Sequence, residues 1–170
     1  MALDTKLTLS LLALLTGVAD LESPKSRIDR RHVVELESGT GAGRADRVFS
    51  DHRSIAASSS ESLDLAGTLE TALGSTAAMA RVKIMIIMAA AANVNNVLVG
   101  GAESAGWLGP FADVSDKLVV RPGAGIALWA GPADATAYPV TATTADLLQV
   151  ANSGSGSAVE YDIYLIGASA

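Results

Sequence analysis

At 170 residues the chain has room for one domain with a full-sized core and an appendage. Its 49% apolar content comes mainly from Ala, Val, Leu and Ile, with aromatic residues at 4%. Such side chains suit the thin interior between two β-sheets, about 10 Å apart, better than a cofactor slot. The absence of cysteine excludes disulfides and thiolate metal sites, and a net charge of −6 argues against a general nucleic-acid binder.

The N-terminal segment carries Leu7, Leu9, Leu11, Leu12, Leu14 and Leu15 after Lys6, followed by Gly17-Val18-Ala19. The run has the outline of a secretory signal, but Asp4 sits where such a signal is positive. It is also shorter than the roughly 20 apolar residues that span a bilayer. Neither secretion nor membrane insertion is therefore expected.

Leu7, Leu11, Leu14, Leu15 and Val18 recur at helical spacing, with Asp4 placed to cap and Gly17 to end a short amphipathic helix. Leu7, Leu9 and Leu11 also alternate with Thr8 and Ser10, which describes an extended arm instead. Either form leaves an apolar stripe for a partner or for the chain's own domain. Ser23-Pro24-Lys25 breaks the pattern, so a linker is expected at 19–30. The domain reading is an arm and linker over 1–30 and a β-sandwich over 31–170.

Across this boundary Lys25, Arg27, Arg30, Arg31, Arg44, Arg47 and Arg53 stand against Asp29, Glu35, Glu37, Asp46 and Asp51. Residues 25–53 are thus +2 and the remainder −8. A basic segment on an acidic body fits docking onto an acidic neighbour, and it equally fits a solvated run of charges.

Beyond residue 31, short apolar or alternating segments are separated by turn residues, the pattern of an all-β sandwich or jelly roll. Strands are expected at 32–37, 47–56 and 62–65, a short helix or turn at 68–73, and further strands at 81–89 and 96–99. Residues 81–89 are apolar on both faces and belong in the centre of the fold. Segments 117–120 and 125–130 flank Arg121-Pro122-Gly123 and read as a hairpin. After a brief strand or helical turn at 145–150, the strand at 159–166 turns Val159, Tyr161, Ile163 and Leu165 inward and Glu160, Asp162 and Tyr164 outward.

No catalytic constellation emerges. Gly39-Thr40-Gly41-Ala42-Gly43 lacks the helix and the Lys-Ser/Thr pair of a phosphate loop and reads as a flexible turn. His32 and His52 lack metal-ligand spacing, and no serine lies in a Gly-x-Ser-x-Gly turn. The carboxylate pairs Asp51 with Glu61 and Asp113 with Asp116 sit in polar surroundings typical of solvated groups. Trp107 and Phe111, on a Gly-Pro loop, read either as contact anchors or as plugs at the end of the sandwich.

Five stretches carry a resemblance: residues 41–48, 63–67, 90–97, 120–123, and 150–154 leading into Tyr161-Asp162-Ile163. Through them the chain resembles a family of small virion proteins of tailed phages of proteobacteria. These stretches are turns and strand edges, so the resemblance transfers a setting and not a mechanism. It implies a particle component, built in many copies and located in the virion; with the charge and the motif search, the expectation is a non-enzymatic protein with no cofactor and no nucleic-acid or membrane partner.

The first expectation is a trimeric capsid decoration or cement protein on the major capsid protein. The alternative is a tail component: a tube subunit in hexameric rings, or a receptor-binding fibre or tip module. The candidate partner contacts are Leu7, Leu11, Leu14, Leu15, Val18, Lys25, Arg27, Arg30, Arg31, Trp107 and Phe111.

Overall fold

Alternation along the chain becomes strand structure throughout. The structure, a computed structural model, describes residues 2–18, 20–67 and 69–170, and every regular element among them is a β-strand. In chain order these are β1 (Thr5–Thr16), β2 (Lys25–Ser38), β3 (Arg44–Ala45), β4 (Arg47–Ile55), β5 (Ser60–Asp64) and β6 (Arg81–Ala89). Then follow β7 (Val97–Gly100), β8 (Lys117–Val120), β9 (Gly125–Trp129), β10 (Tyr138–Pro139), β11 (Leu147–Asn152) and β12 (Val159–Ala168). The fold class is all-β. Three sheets form: β1-β2-β3; β10-β6-β12-β4 with β9 also paired to β6; and β5-β11-β7-β8.

The five-stranded and four-stranded sheets feed one interior. Val159, Tyr161, Ile163 and Leu165 of β12 are fully buried, as their alternation requires. They join Phe49 of β4 and Met85 and Ile87 of β6 in a cluster with Leu63, Val97, Val99, Val120, Leu148 and Val150 of the four-stranded sheet. β6 lies between β12 and the pair β9 and β10, which is the central position expected for residues 81–89.

Its other face is buried separately. Ile84, with Ile86 beside it, packs with Val34 and Leu36 of β2, Ala45 of β3, Trp129, Ile166 and Leu7 in a second cluster. The base of the β1–β2 hairpin thus covers one end of the outer face of the five-stranded sheet. The turn that follows depends on glycine: Gly39 and Gly43 take φ of 134° and 65°, bringing the Gly43 carbonyl within 3.0 Å of the Glu37 amide. A strand, β3, follows this loop.

Two expectations need correction, and two open alternatives are decided. The N-terminal segment is a strand and not an amphipathic helix: Thr5 to Thr16 pair residue for residue with Leu36 to Lys25, so ladder hydrogen bonds with β2 replace those of a helix. The linker expected at 19–30 ends at residue 24, and β2 runs unbroken through residue 30; Ala19 itself lies outside the described residues. Finally, Arg121-Pro122-Gly123 does not close a hairpin. β8 pairs with β7 and β9 with β6, so this turn carries the chain from one sheet to another. The segment at 68–73, apart from Thr68 outside the described residues, is turn and not helix, with a single bridge from Glu70 to Thr76.

Buried polar groups brace the edges. Asn152 donates to the carbonyls of Ile55, Ala56 and Ser157 at 3.3, 3.2 and 2.8 Å and accepts from the Gly154 amide, joining β11 to the end of β4. The Tyr161 hydroxyl donates to Glu61 Oε1 at 2.9 Å, and Arg53 grips the same carboxylate at 2.7 Å. Burial and the Glu61 charge push the Tyr161 phenol up, so it stays protonated as the donor. Ile163→Ala is expected to lower stability by about 2–5 kcal/mol in urea unfolding, because it opens a void in this interior. Val119→Ala, at a position 56% exposed, should stay within about 0.5 kcal/mol of wild type.

Candidate functional site

The β1–β2 hairpin extends well beyond the sheet that anchors it. Its twelve paired positions correspond to a ribbon about 40 Å long at roughly 3.4 Å per residue. Directly opposed residues share a face, so the register sorts the side chains into two sets. One face carries the pairs Leu7/Val34, Leu9/His32, Leu11/Arg30, Ala13/Ile28 and Leu15/Ser26. The other carries Lys6/Glu35, Thr8/Val33, Ser10/Arg31, Leu12/Asp29, Leu14/Arg27 and Thr16/Lys25.

The first face begins in the second core cluster at Leu7 and Val34 and continues outward with nothing over it. Leu9 is 49% exposed, Leu11 56%, Ile28 50% and Leu15 73%. His32 stacks on Trp129 with ring centroids 5.4 Å apart and marks the place where the ribbon leaves the sheet. A two-stranded ribbon standing alone in water is marginally stable, and this one keeps an apolar stripe in water as well. Within the chain, nothing among the described residues covers this stripe.

The candidate contacts divide on this geometry. Leu11, Leu14, Leu15 and Val18 are exposed on the ribbon, while Leu7 is half-buried in its base. Lys25, Arg27, Arg30 and Arg31 all lie on β2, with Arg27 paired to Asp29 at 2.6 Å. Arg30 points to the apolar face, and its hydrogen-bond partner among the described residues is the Asp29 carbonyl at 3.1 Å. Trp107 is 2% exposed in the main core, and its Nε1 donates to the Pro139 carbonyl at 2.9 Å. Phe111 is half-buried against the same cluster. Trp107 thus belongs to the interior and Phe111 lines it, with the Trp107 amide also donating to the Leu147 carbonyl at 2.9 Å.

Sequence reading named Leu9 in the extended alternative but missed Ile28 and His32 as members of the strip. Ile28 and His32 do alternate in step with Val34, but the charged residues among them obscure the pattern until the partner strand is known.

Both carboxylate pairs have partners within the chain. Asp51 and Glu61 meet through the Arg53 guanidinium, at 2.6 and 2.5 Å, beside an open cleft of about 500 Å³ between the edges of β4 and β5. Asp113 accepts from the Ser115 amide and hydroxyl, and Asp116 from the amides of Ala112 and Asp113, so both are consumed in shaping one loop. On the outer face of the five-stranded sheet, His52 lies 2.7 Å from Asp162 and 4.0 Å from Glu160. The hydrogen bond that the imidazole Nδ1 donates to the Asp162 carboxylate holds the ring above its ordinary 6.5. Comparison of the chain with protein-family models, with curated proteins and with solved structures finds no match.

Two outcomes follow for measurement. In hydrogen exchange on dilute protein, amides at 10–15 and 26–31 are expected to exchange by local opening, while β6 and β12 exchange only through global unfolding. Equal protection in both would contradict an unsupported ribbon. An NMR titration should find the His52 pKa above 6.5, returning toward that value in Asp162→Asn. Because the folded-state value is raised, the stabilisation from this pair is complete below pH 6.5 and is lost as pH rises through the folded pKa.

Proposed function

We propose that this chain is a non-enzymatic structural protein of a tailed-phage virion, namely a capsid decoration protein. In this reading the body is a single β-sandwich formed by the five- and four-stranded sheets, and the hairpin is the arm that clamps neighbouring subunits. The observation that carries it is the projecting ribbon, anchored at Leu7, Val34 and Leu36 and uncovered from Leu9 outward. Each square ångström of apolar surface it buries contributes about 25 cal/mol, and repetition over a shell multiplies a modest single-site affinity. Self-association as a trimer and contact with the major capsid protein belong to the same reading. An interlocking ribbon also serves a tail-tube subunit, which differs in forming hexameric rings without a capsid.

The test shortens the ribbon and keeps its base. Replacing residues 9–32 with a short Gly-Ser turn preserves Leu7, Val34 and Leu36 in the second core cluster. The shortened protein is expected to fold and to lose binding to capsids that lack the wild-type protein, as counted by electron microscopy and light scattering. Unchanged binding would sink the clamp. Rings or tubes formed by the wild-type protein alone would transfer it to the tail.

A further inference from the structure

The strip on the ribbon and the uncovered part of the five-stranded sheet repeat the same order of chemistry. On the ribbon, the rung Leu9/His32 is followed two residues outward by Leu11/Arg30. On the outer face of the sheet, the rung Ile86/Tyr164/Ala127 is followed two residues along by Met88/Asp162/Gly125. A step of two residues keeps the same face and advances about 7 Å in both. Each surface therefore reads apolar and then charged, with a guanidinium on one and a carboxylate on the other.

The charges are complementary and incompletely satisfied within the chain. Arg30 has no carboxylate partner among the described residues. Asp162 and, two residues on, Glu160 share the single imidazole of His52. The apolar parts are open as well: Tyr164 is 40% and Met88 42% exposed, next to the place where the hairpin base already covers Ile84 and Ile166. The ribbon leaves its own sheet at the stack of His32 on Trp129, so strip and patch stay apart within one chain.

We propose that the outer ribbon of one copy lies on the outer face of the five-stranded sheet of a second copy, beside that copy's own hairpin base. Leu9 and Leu11 cover Met88 and Tyr164, at the edge of the patch where Ile86 is already packed, and Arg30 reaches Asp162 and Glu160. A second copy is the partner because this chain supplies both halves of the complement and leaves both open. Reciprocal exchange in a dimer and successive donation around a ring use the same contact. The inference rests on the hairpin being a contact element; it does not depend on the virion setting.

The test is a charge exchange read by absolute mass in light scattering, with circular dichroism to check folding. Arg30→Glu and Asp162→Arg are each expected to weaken self-association by about tenfold or more, and the double variant to restore it. A monomeric wild type at high concentration, an oligomer indifferent to both single changes, or a double variant that stays dissociated would each overturn the contact. The chain has no cysteine, so Leu11→Cys with Met88→Cys supplies an independent check. Oxidation should give covalent multimers on a non-reducing gel, and monomer alone would count against the proposal. If the single swaps leave the mass unchanged while the shortened ribbon loses capsid binding, the hairpin serves another partner. If the mass responds and capsids never bind, the contact between copies stands and the decoration reading falls.

Discussion

Strand β6 carries apolar side chains on both faces, and each face has to be kept from water. Met85 and Ile87 meet this requirement against the four-stranded sheet, in the main interior. Ile84 and Ile86 cannot use that layer, because successive side chains on a strand point to opposite sides. Their cover is the base of the β1–β2 hairpin, so the N-terminal ribbon is attached to the body by the same strand that organises the core. The outward-facing apolar residues of β6 thus fix where the hairpin begins.

What lies beyond that base follows from simple limits. A ribbon of two strands has one partner per strand and little burial of its own. Leu9, Leu11, Ile28 and Leu15 add apolar area to water without return inside the chain. Such an element gains further burial only if another surface covers it. The interior of the body, by contrast, is well filled: Trp107 belongs to it, Asn152 and Tyr161 satisfy their polar atoms at its margins, and Arg53 holds Asp51 and Glu61 together. The contrast between a filled interior and a projecting arm with an exposed apolar stripe supports the proposed reading of the molecule as a component of an assembly.

Much of the body was legible from residue order. The strands at 81–89 and 117–120 fall at the expected residues, and the inward set of β12 is the one its alternation implies. Those segments combine period-two patterning with clear turn residues at their ends, so local chemistry alone defines them. The N-terminal segment was ambiguous because Leu7, Leu11, Leu14 and Leu15 satisfy a helical repeat while Leu7, Leu9 and Leu11 satisfy a strand repeat. Long-range pairing with residues 25–36 resolved it in favour of the strand. Arg121-Pro122-Gly123 was legible as a turn but not as a passage between sheets, because a tight turn has the same local signals in either case.

The sequence by itself determined that this protein is all-β, that its interior is small and aliphatic, and that its N-terminal segment carries an apolar stripe of leucines. These are properties of composition and of near-neighbour spacing, which act before any distant contact forms. Only the tertiary structure decided that Leu9, Leu11, Arg30 and Ile28 share one face of a ribbon, and that Trp107 belongs to the core. It also decided that Asp162 and Glu160 stand beside an uncovered apolar patch. The reason is register: which residues face each other across strands far apart in the chain is set by the burial of the whole, and no local window contains it.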